Sequence, residues 1–232
     1  MTTETSIRAA KRKAAEAAVA EIESDMLVGL GTGSTAAFAI SALGRRVREE
    51  GLRITAVGTS LATEAAARAA GIAMLDFADV AHSDLVIDGA DEIDSAFRAI
   101  KGGGGAMLRE KIVAASATRM ICIVDAGKTI ATIGTRPLPI EVLPFACSFV
   151  SDAVRALGGE PIVRVTPTGS PVLSDQANLL IDCRFGPITD PATLALELTA
   201  VPGMLGHGLF LTEIDALFIG RDEGIERLER RI

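Results

Sequence analysis

Met26-Leu27-Val28-Gly29-Leu30-Gly31-Thr32-Gly33-Ser34-Thr35 is a short apolar run that ends in glycines and hydroxyl residues. It reads as a buried strand, a tight turn and a new helix from about Thr35. Upstream, Ser6 to Glu23 is rich in Ala, Lys, Arg and Glu, all strong helix formers. Downstream the same rhythm repeats. Arg53 to Val57 predicts a strand, and Leu61 to Ala70 an Ala-rich helix closed by Gly71. Strands are expected at Ile72 to Leu75, Asp84 to Ile87 and Met120 to Val124, with a helix from about Met107 to Ala117 between the last two. Near-continuous apolar strands alternating with helices indicate a parallel sheet covered on both faces. Ligands of such sheets bind outside the carboxyl ends of the strands, so the loops after Leu30, Val57, Ile87 and Val124 should face one crevice.

The pattern changes at about Gly134, where Pro137, Pro139, Pro144, Pro161, Pro167, Pro171 and Pro187 follow in quick succession. Strand-like runs (Pro161 to Val165, Leu179 to Asp182) and helical runs (Ser148 to Leu157, Asp190 to Ala200) lie among them. Ala216 to Ile219 has the character of a last strand returning to the first sheet. The expected architecture is a Rossmann-like α/β domain, residues 1–133 and 207–232, with helices on both faces. A smaller α+β, ferredoxin-like domain takes residues 134–206.

The 232 residues carry a net charge of −7, with 30 Asp and Glu against 23 Lys and Arg. That balance disfavours non-specific nucleic-acid binding, and the absence of Trp and Tyr removes the usual stacking platforms for single strands. An anionic ligand would have to be held by a few local cations and backbone N–H groups. Cys122, Cys147 and Cys183 form no CxxC pair, which suggests neither a zinc site nor a disulfide framework but reduced thiols in a cytoplasmic protein. No signal-peptide h-region is visible at the N-terminus. No apolar run approaches the roughly 20 residues that span a bilayer, so no membrane partner is expected.

Four segments carry candidate chemistry. In Gly29 to Thr35 the strand, glycine turn and helix start suit an anion, because first-turn N–H groups and the helix dipole point at it. A P-loop would need Lys where Gly33 stands, and a dinucleotide fingerprint would need Gly where Ser34 stands. A small phosphorylated ligand is therefore expected. The bland alternative is a turn whose Ser or Thr merely caps the helix. Asp88-Gly89-Ala90-Asp91-Glu92-Ile93-Asp94 places four carboxylates at a strand end. They suit acid–base work, sugar hydroxyls or a metal, and a solvated acidic loop is the plain alternative. In Lys101 to Lys111, four successive glycines precede a helix that holds Glu110 in its first turn. Such a run is costly in chain entropy unless backbone approaches a ligand closely. Asp125-Ala126-Gly127-Lys128 adds a cation after the strand ending at Val124. His207, between two glycines, reads as a loop residue.

Taken in order, GLGTGSTA (29–36), VIDGADEID (86–94), KGGGGAMLREKI (101–112) and VDAGK (124–128) resemble the type A ribose-5-phosphate isomerase family. LPIEVLPFA (138–146), LLIDCRFGPITDP (179–191) and VPGMLGHGLF (201–210) match as well, so the resemblance spans nearly the whole chain. It implies an aldose–ketose isomerase of ribose 5-phosphate and ribulose 5-phosphate, in the non-oxidative branch of the pentose phosphate pathway. The reaction would run through a cis-enediolate, without cofactor or metal, in a homodimer. By the resemblance, Thr32, Gly33, Ser34 and Thr35 bind substrate, chiefly its phosphate. Asp88, Gly89, Ala90 and Asp91 line the sugar, with Asp88 helping to open the furanose ring. Lys101, Gly102, Gly103 and Gly104 form a second sugar-binding loop, with Lys101 stabilising the enediolate. Glu110 carries the proton, which suits a carboxylate whose pKa burial raises. Lys128 is a further substrate contact, and Lys11 reaches the phosphate from the N-terminal helix. Fold alone leaves other readings open: a non-catalytic phosphosugar-sensing domain, a coenzyme A transferase, or an aminosugar-phosphate isomerase.

Overall fold

The computed structural model describes residues 3–231. In chain order its first elements are α1 (Thr3–Val19), β1 (Leu27–Leu30), α2 (Ala36–Glu49), β2 (Thr55–Gly58), α3 (Leu61–Ala69), β3 (Ala73–Met74) and β4 (Ser83–Asp88). Then come β5 (Glu92–Ile93), β6 (Ala99–Ile100), α4 (Met107–Ala115), β7 (Ala117–Asp125), β8 (Leu138–Val142), α5 (Cys147–Ala156) and β9 (Glu160–Val163). The last are β10 (Leu179–Arg184), α6 (Pro191–Thr199), β11 (Met204–His207), β12 (Leu209–Phe210), β13 (Ala216–Arg221) and β14 (Gly224–Glu229). The chain is a mixed α/β protein in two compact units.

The first unit takes in the chain up to Ala90, Arg109–Thr129 and the chain from Thr212. Its sheet has the order β14-β13-β7-β4-β1-β2-β3. Every neighbouring pair is parallel except β13 and β14. The strands expected from the apolar runs are thus present. The antiparallel β14 was not foreseen, because its alternately exposed, charged residues lack the apolar run of a buried strand. A turn of only a few residues after β13 can return the chain only antiparallel. The charges suit an edge that must resist further pairing.

Leu30, Leu43, Ile87, Ile121, Ile123 and Phe218 fill the core of this unit, each contributing about 1.5–3 kcal/mol by burial. Small residues let α1 lie close to the sheet. Ala14, Ala15 and Ala18 are fully buried, and a Cβ on Gly220 would collide with the carbonyl oxygen of Ala10. From β1 the chain passes to β2 on one side and later to β4 on the other. The strand order reverses there, so a crevice opens beyond the carboxyl ends of β1 and β4. The Gly31 N–H donates to Ile87 O at 3.0 Å and the Thr59 N–H to Leu30 O at 3.0 Å, closing the strand ends on one another.

The second unit comprises Asp91–Leu108 and Ile130–Leu211. It holds an antiparallel sheet of order β11-β8-β10-β9 and a small sheet of order β12-β6-β5. Ile140, Val142, Val150, Val154, Ile181, Cys183 and Leu198 form its core. Pro139 sits inside β8, where its carbonyl still accepts from Gly208 N–H at 2.8 Å. Cys183 behaves as a core residue. Burial, then the neighbouring Asp182 charge, pushes its thiol up to about 12, which leaves it protonated and inert.

Candidate active site

The turn after β1 rests on a glycine and leads directly into α2. Gly33 adopts φ 111° with open space around it, a conformation that glycine takes without steric cost. The helix starts by Ala37 N–H donating to Gly33 O at 3.0 Å. Thr35, at the N-cap position, makes no side-chain cap hydrogen bond. The bland reading of this turn therefore does not hold for Thr35. The Ala37 N–H is taken by Gly33 O and the Phe38 N–H by Thr35 O at 3.1 Å, so an anion at this helix start would meet the N–H groups ahead of them. The Ser34 hydroxyl accepts from Lys11 Nζ at 3.0 Å. That contact brings the least distinctive of the expected residues to the glycine turn, adding a local cation there in an acidic protein.

Thr32 is held by groups that sequence reasoning passed over. Its Oγ1 lies 2.8 Å from Thr59 Oγ1, 2.9 Å from Ser60 Oγ and 3.1 Å from Thr63 Oγ1. Thr63 Oγ1 also donates to Gly31 O at 2.9 Å, and Thr59 Oγ1 to Leu30 O at 3.1 Å. Ser60 caps α3 by accepting from Thr63 N–H at 3.0 Å, worth about 1 kcal/mol. The only signal in the chain is the cluster Thr59-Ser60 and Thr63 at a strand end, which an ordinary helix cap explains equally well.

Asp88 ends β4 and is 1% exposed. Its Oδ1 accepts from Thr32 N–H at 3.1 Å and from Gly89 N–H at 2.7 Å. A Cβ on Gly31 would collide with this carboxylate, so the glycine turn and the acid require one another. Glu110 is 4% exposed in the first turn of α4. Three residues on, Val113 packs where a Cβ on Gly29 would sit, 2.7 Å from its Cγ1. Positions three apart share a helix face, so Glu110 lies on the face turned to β1. Because α4 joins the parallel strands β4 and β7, it runs opposite to them, and its first turn lies towards their carboxyl ends. Ala90 follows Gly89 directly, and Lys128 is half-buried in the turn after β7.

In the second unit, Asp91 and the glycine loop are joined. Asp91 Oδ2 accepts from Gly103 N–H at 2.7 Å, and a Cβ on Gly103 would come within 2.6 Å of Asp91 Oδ1. Gly105 N–H closes a turn on Gly102 O at 2.9 Å. Gly103 and Gly104 lie exposed at its tip. Lys101 is 2% exposed, its Nζ 5.2 Å from the centre of the Phe210 ring.

The rest of the acidic run is taken up by backbone and side-chain donors nearby. Glu92 accepts from Gly134 N–H, Thr135 Oγ1 and, at 3.0 Å, Arg136 N–H. Asp94 accepts from Ala96 N–H at 2.9 Å, Arg98 N–H at 3.1 Å and Arg98 Nε at 2.7 Å. Neither is the acid of a solvated loop. His207 closes β11 rather than lying in a loop, buried against Thr199 and the Leu209 N–H.

The sequence profile of a family described as ribose 5-phosphate isomerase A (phosphoriboisomerase A) matches residues 55–224. A ribose-5-phosphate isomerase A of Sphingopyxis alaskensis is 50% identical over 218 residues, covering 94% of this chain and 95% of that one. The solved ribose 5-phosphate isomerase A of Methanocaldococcus jannaschii superposes with a TM-score of 0.91 at 35% identity, covering 95% of this chain and 98% of the other. A D-ribose-5-phosphate isomerase solved in complex with phospho-erythronic acid superposes with a TM-score of 0.93 at 34% identity, covering 97% and 99%.

Proposed function

The chain belongs to the ribose 5-phosphate isomerase A family, and from that premise we propose that Glu110 carries the proton in its interconversion of ribose 5-phosphate and ribulose 5-phosphate. The observation that carries this reading is a buried carboxylate in the first turn of α4, on the helix face turned to β1. Aldose and ketose differ by one proton moved between C2 and C1 and one hydroxyl proton moved between O2 and O1. One carboxylate serves both positions through a cis-enediolate, removing the proton from one carbon and returning it to the other.

The remaining roles follow the family pattern. Thr32, Gly33, Ser34 and Thr35, with Lys11, hold the phosphate and keep the reacting carbons in register from a distance. Asp88 assists ring opening, and Gly89, Ala90 and Asp91 line the sugar. Lys101 and the N–H groups of Gly102, Gly103 and Gly104 stabilise the enediolate oxygen as charge develops. Lys128 is a further substrate contact. Phospho-erythronic acid, the ligand of the solved relative, joins a phosphate to a carboxylate, the two charges such a site would receive.

The finer architecture we read as a Rossmann-like domain with a ferredoxin-like one, acting in the cytoplasm as a homodimer without nucleic-acid or membrane partners. No helix among the described residues is long and apolar enough to cross a membrane. Phe145 and Phe149 are exposed, and fall four residues apart as a patch a second copy could cover. The test is turnover of ribose 5-phosphate by wild type and Glu110→Gln. The variant should lose about 10²–10⁴-fold in kcat with an unchanged circular dichroism spectrum. Near-normal turnover by a pure preparation would remove Glu110 from the role.

A further inference from the structure

The glycine loop is gripped from behind by Arg164, which lies outside the glycine-rich and acidic segments. Arg164 follows β9 and presents its guanidinium edge-on to Asp182 of β10, with Nε 2.9 Å from Oδ2 and Nη2 2.6 Å from Oδ1. This two-point pairing fixes the plane of the fork. The free edges then meet the loop. Nη1 donates to Gly103 O at 3.2 Å and to Gly102 O at 3.4 Å, and Nη2 to Gly102 O at 3.4 Å. The arginine side chain is only 18% exposed, while the carbonyl of Gly103 that it holds lies at the exposed tip of the loop.

The orientation of two carbonyls dictates the orientation of two N–H groups, because a trans peptide is planar with its C=O and N–H opposed. The Gly102 carbonyl faces Arg164, and the N–H of the same peptide is taken by Asp91. The Gly103 carbonyl also faces Arg164. The N–H of that peptide belongs to Gly104, and it points away from the guanidinium at the exposed tip of the loop. The cation polarises both peptides in the same sense, strengthening the donor at the far end.

We propose that Arg164, anchored by Asp182, is a positioning residue of the isomerisation: it holds the Gly102 and Gly103 carbonyls so that the Gly104 N–H is presented to the anionic oxygen of the enediolate. The inference rests on the reading that the Lys101–Gly104 loop contacts the sugar. A donor aimed in advance at developing charge acts on the transition state more than on the ground state. Only the planar fork meets Asp182 and two carbonyls at once, and an ammonium does not.

Arg164→Ala, Arg164→Lys and Asp182→Asn should be compared by steady-state kinetics with ribose 5-phosphate, and by inhibition with phospho-erythronate and with inorganic phosphate. In Arg164→Ala, kcat is expected to fall about 10–100-fold with KM nearly unchanged, somewhat less than for loss of an oxyanion donor itself. Inhibition by phospho-erythronate should weaken by a similar factor, while inhibition by inorganic phosphate stays the same. Added guanidinium ion should restore part of the rate to Arg164→Ala. Arg164→Lys should remain impaired, and Asp182→Asn should fall in the same direction by less. Should Arg164→Ala not fold, the other two variants carry the test. Wild-type kcat and wild-type phospho-erythronate inhibition in the folded variants would overturn the proposal, as would a change in KM alone or a loss of thermal stability alone. Wild type active and Glu110→Gln impaired, with all three variants unaffected, would sink the clamp and spare the isomerase reading. An inactive wild type would sink both.

Discussion

Two lysines illustrate how environment separates residues of one type. Lys101 is 2% exposed, with its ammonium over the Phe210 ring, whereas Lys128 is half-buried in a short turn after β7. An ammonium held in a dry setting acts strongly on charge that appears during reaction. One in a wetter setting contributes alike to ground and transition states. Lys101→Ala is therefore expected chiefly to lower kcat and Lys128→Ala chiefly to raise KM. Steady-state kinetics on folded variants checks this, and equal effects on both parameters in both variants would refute the division.

At the scale of elements, the segment after the small unit is tied to α4 by a shielded ion pair. Lys111 Nζ lies 3.2 Å from Glu213 Oε1, with side-chain exposures of 24% and 17%. Burial alone would raise the Glu213 carboxyl, but the Lys111 charge and hydrogen bonds, including one from Thr212 N–H, bring it below its ordinary value. A carboxyl depressed in the folded state adds stability above its unfolded pKa, and that contribution is lost as pH falls through the folded value. Glu213→Gln should thus cost on the order of 1 kcal/mol at neutral pH. The gap from wild type should begin to narrow below about pH 4.5, where the unfolded carboxyl takes up its proton, and close as pH falls through the lower folded value. Urea unfolding across that range decides the matter, since a gap independent of pH would mean that the charge contributes nothing. Helix α1 relies on a different device, the missing side chain of Gly220 beneath Ala10, so its placement depends on backbone proximity more than on large apolar residues.

For the molecule as a whole, the disposition of the carboxylates bears on how charge is neutralised during reaction. Asp88, Asp91, Glu92 and Asp94 each accept from backbone N–H groups of their own surroundings. A chelator such as EDTA is accordingly expected to leave kcat and KM of the purified enzyme unchanged. Loss of activity that returns with an added divalent ion would restore the acidic run as a metal site.

What the chain alone determined is the α/β alternation, the parallel strands, the glycine turns and the residue types at the strand ends. Periodicity and turn chemistry are local, so Met26 to Thr35 announces a strand, a turn and a helix without reference to anything distant. Tertiary structure decided which groups complete those turns. Thr32 meets Thr63 across 31 positions, and Arg164 meets Gly102 across 62. Neither pairing leaves a trace in local composition, because a hydrogen bond between distant segments constrains only the two groups that make it. The same holds for the acidic run. Its charges were legible as a cluster, but whether each faces solvent, ligand or a backbone N–H depends on where the next strand and loop return.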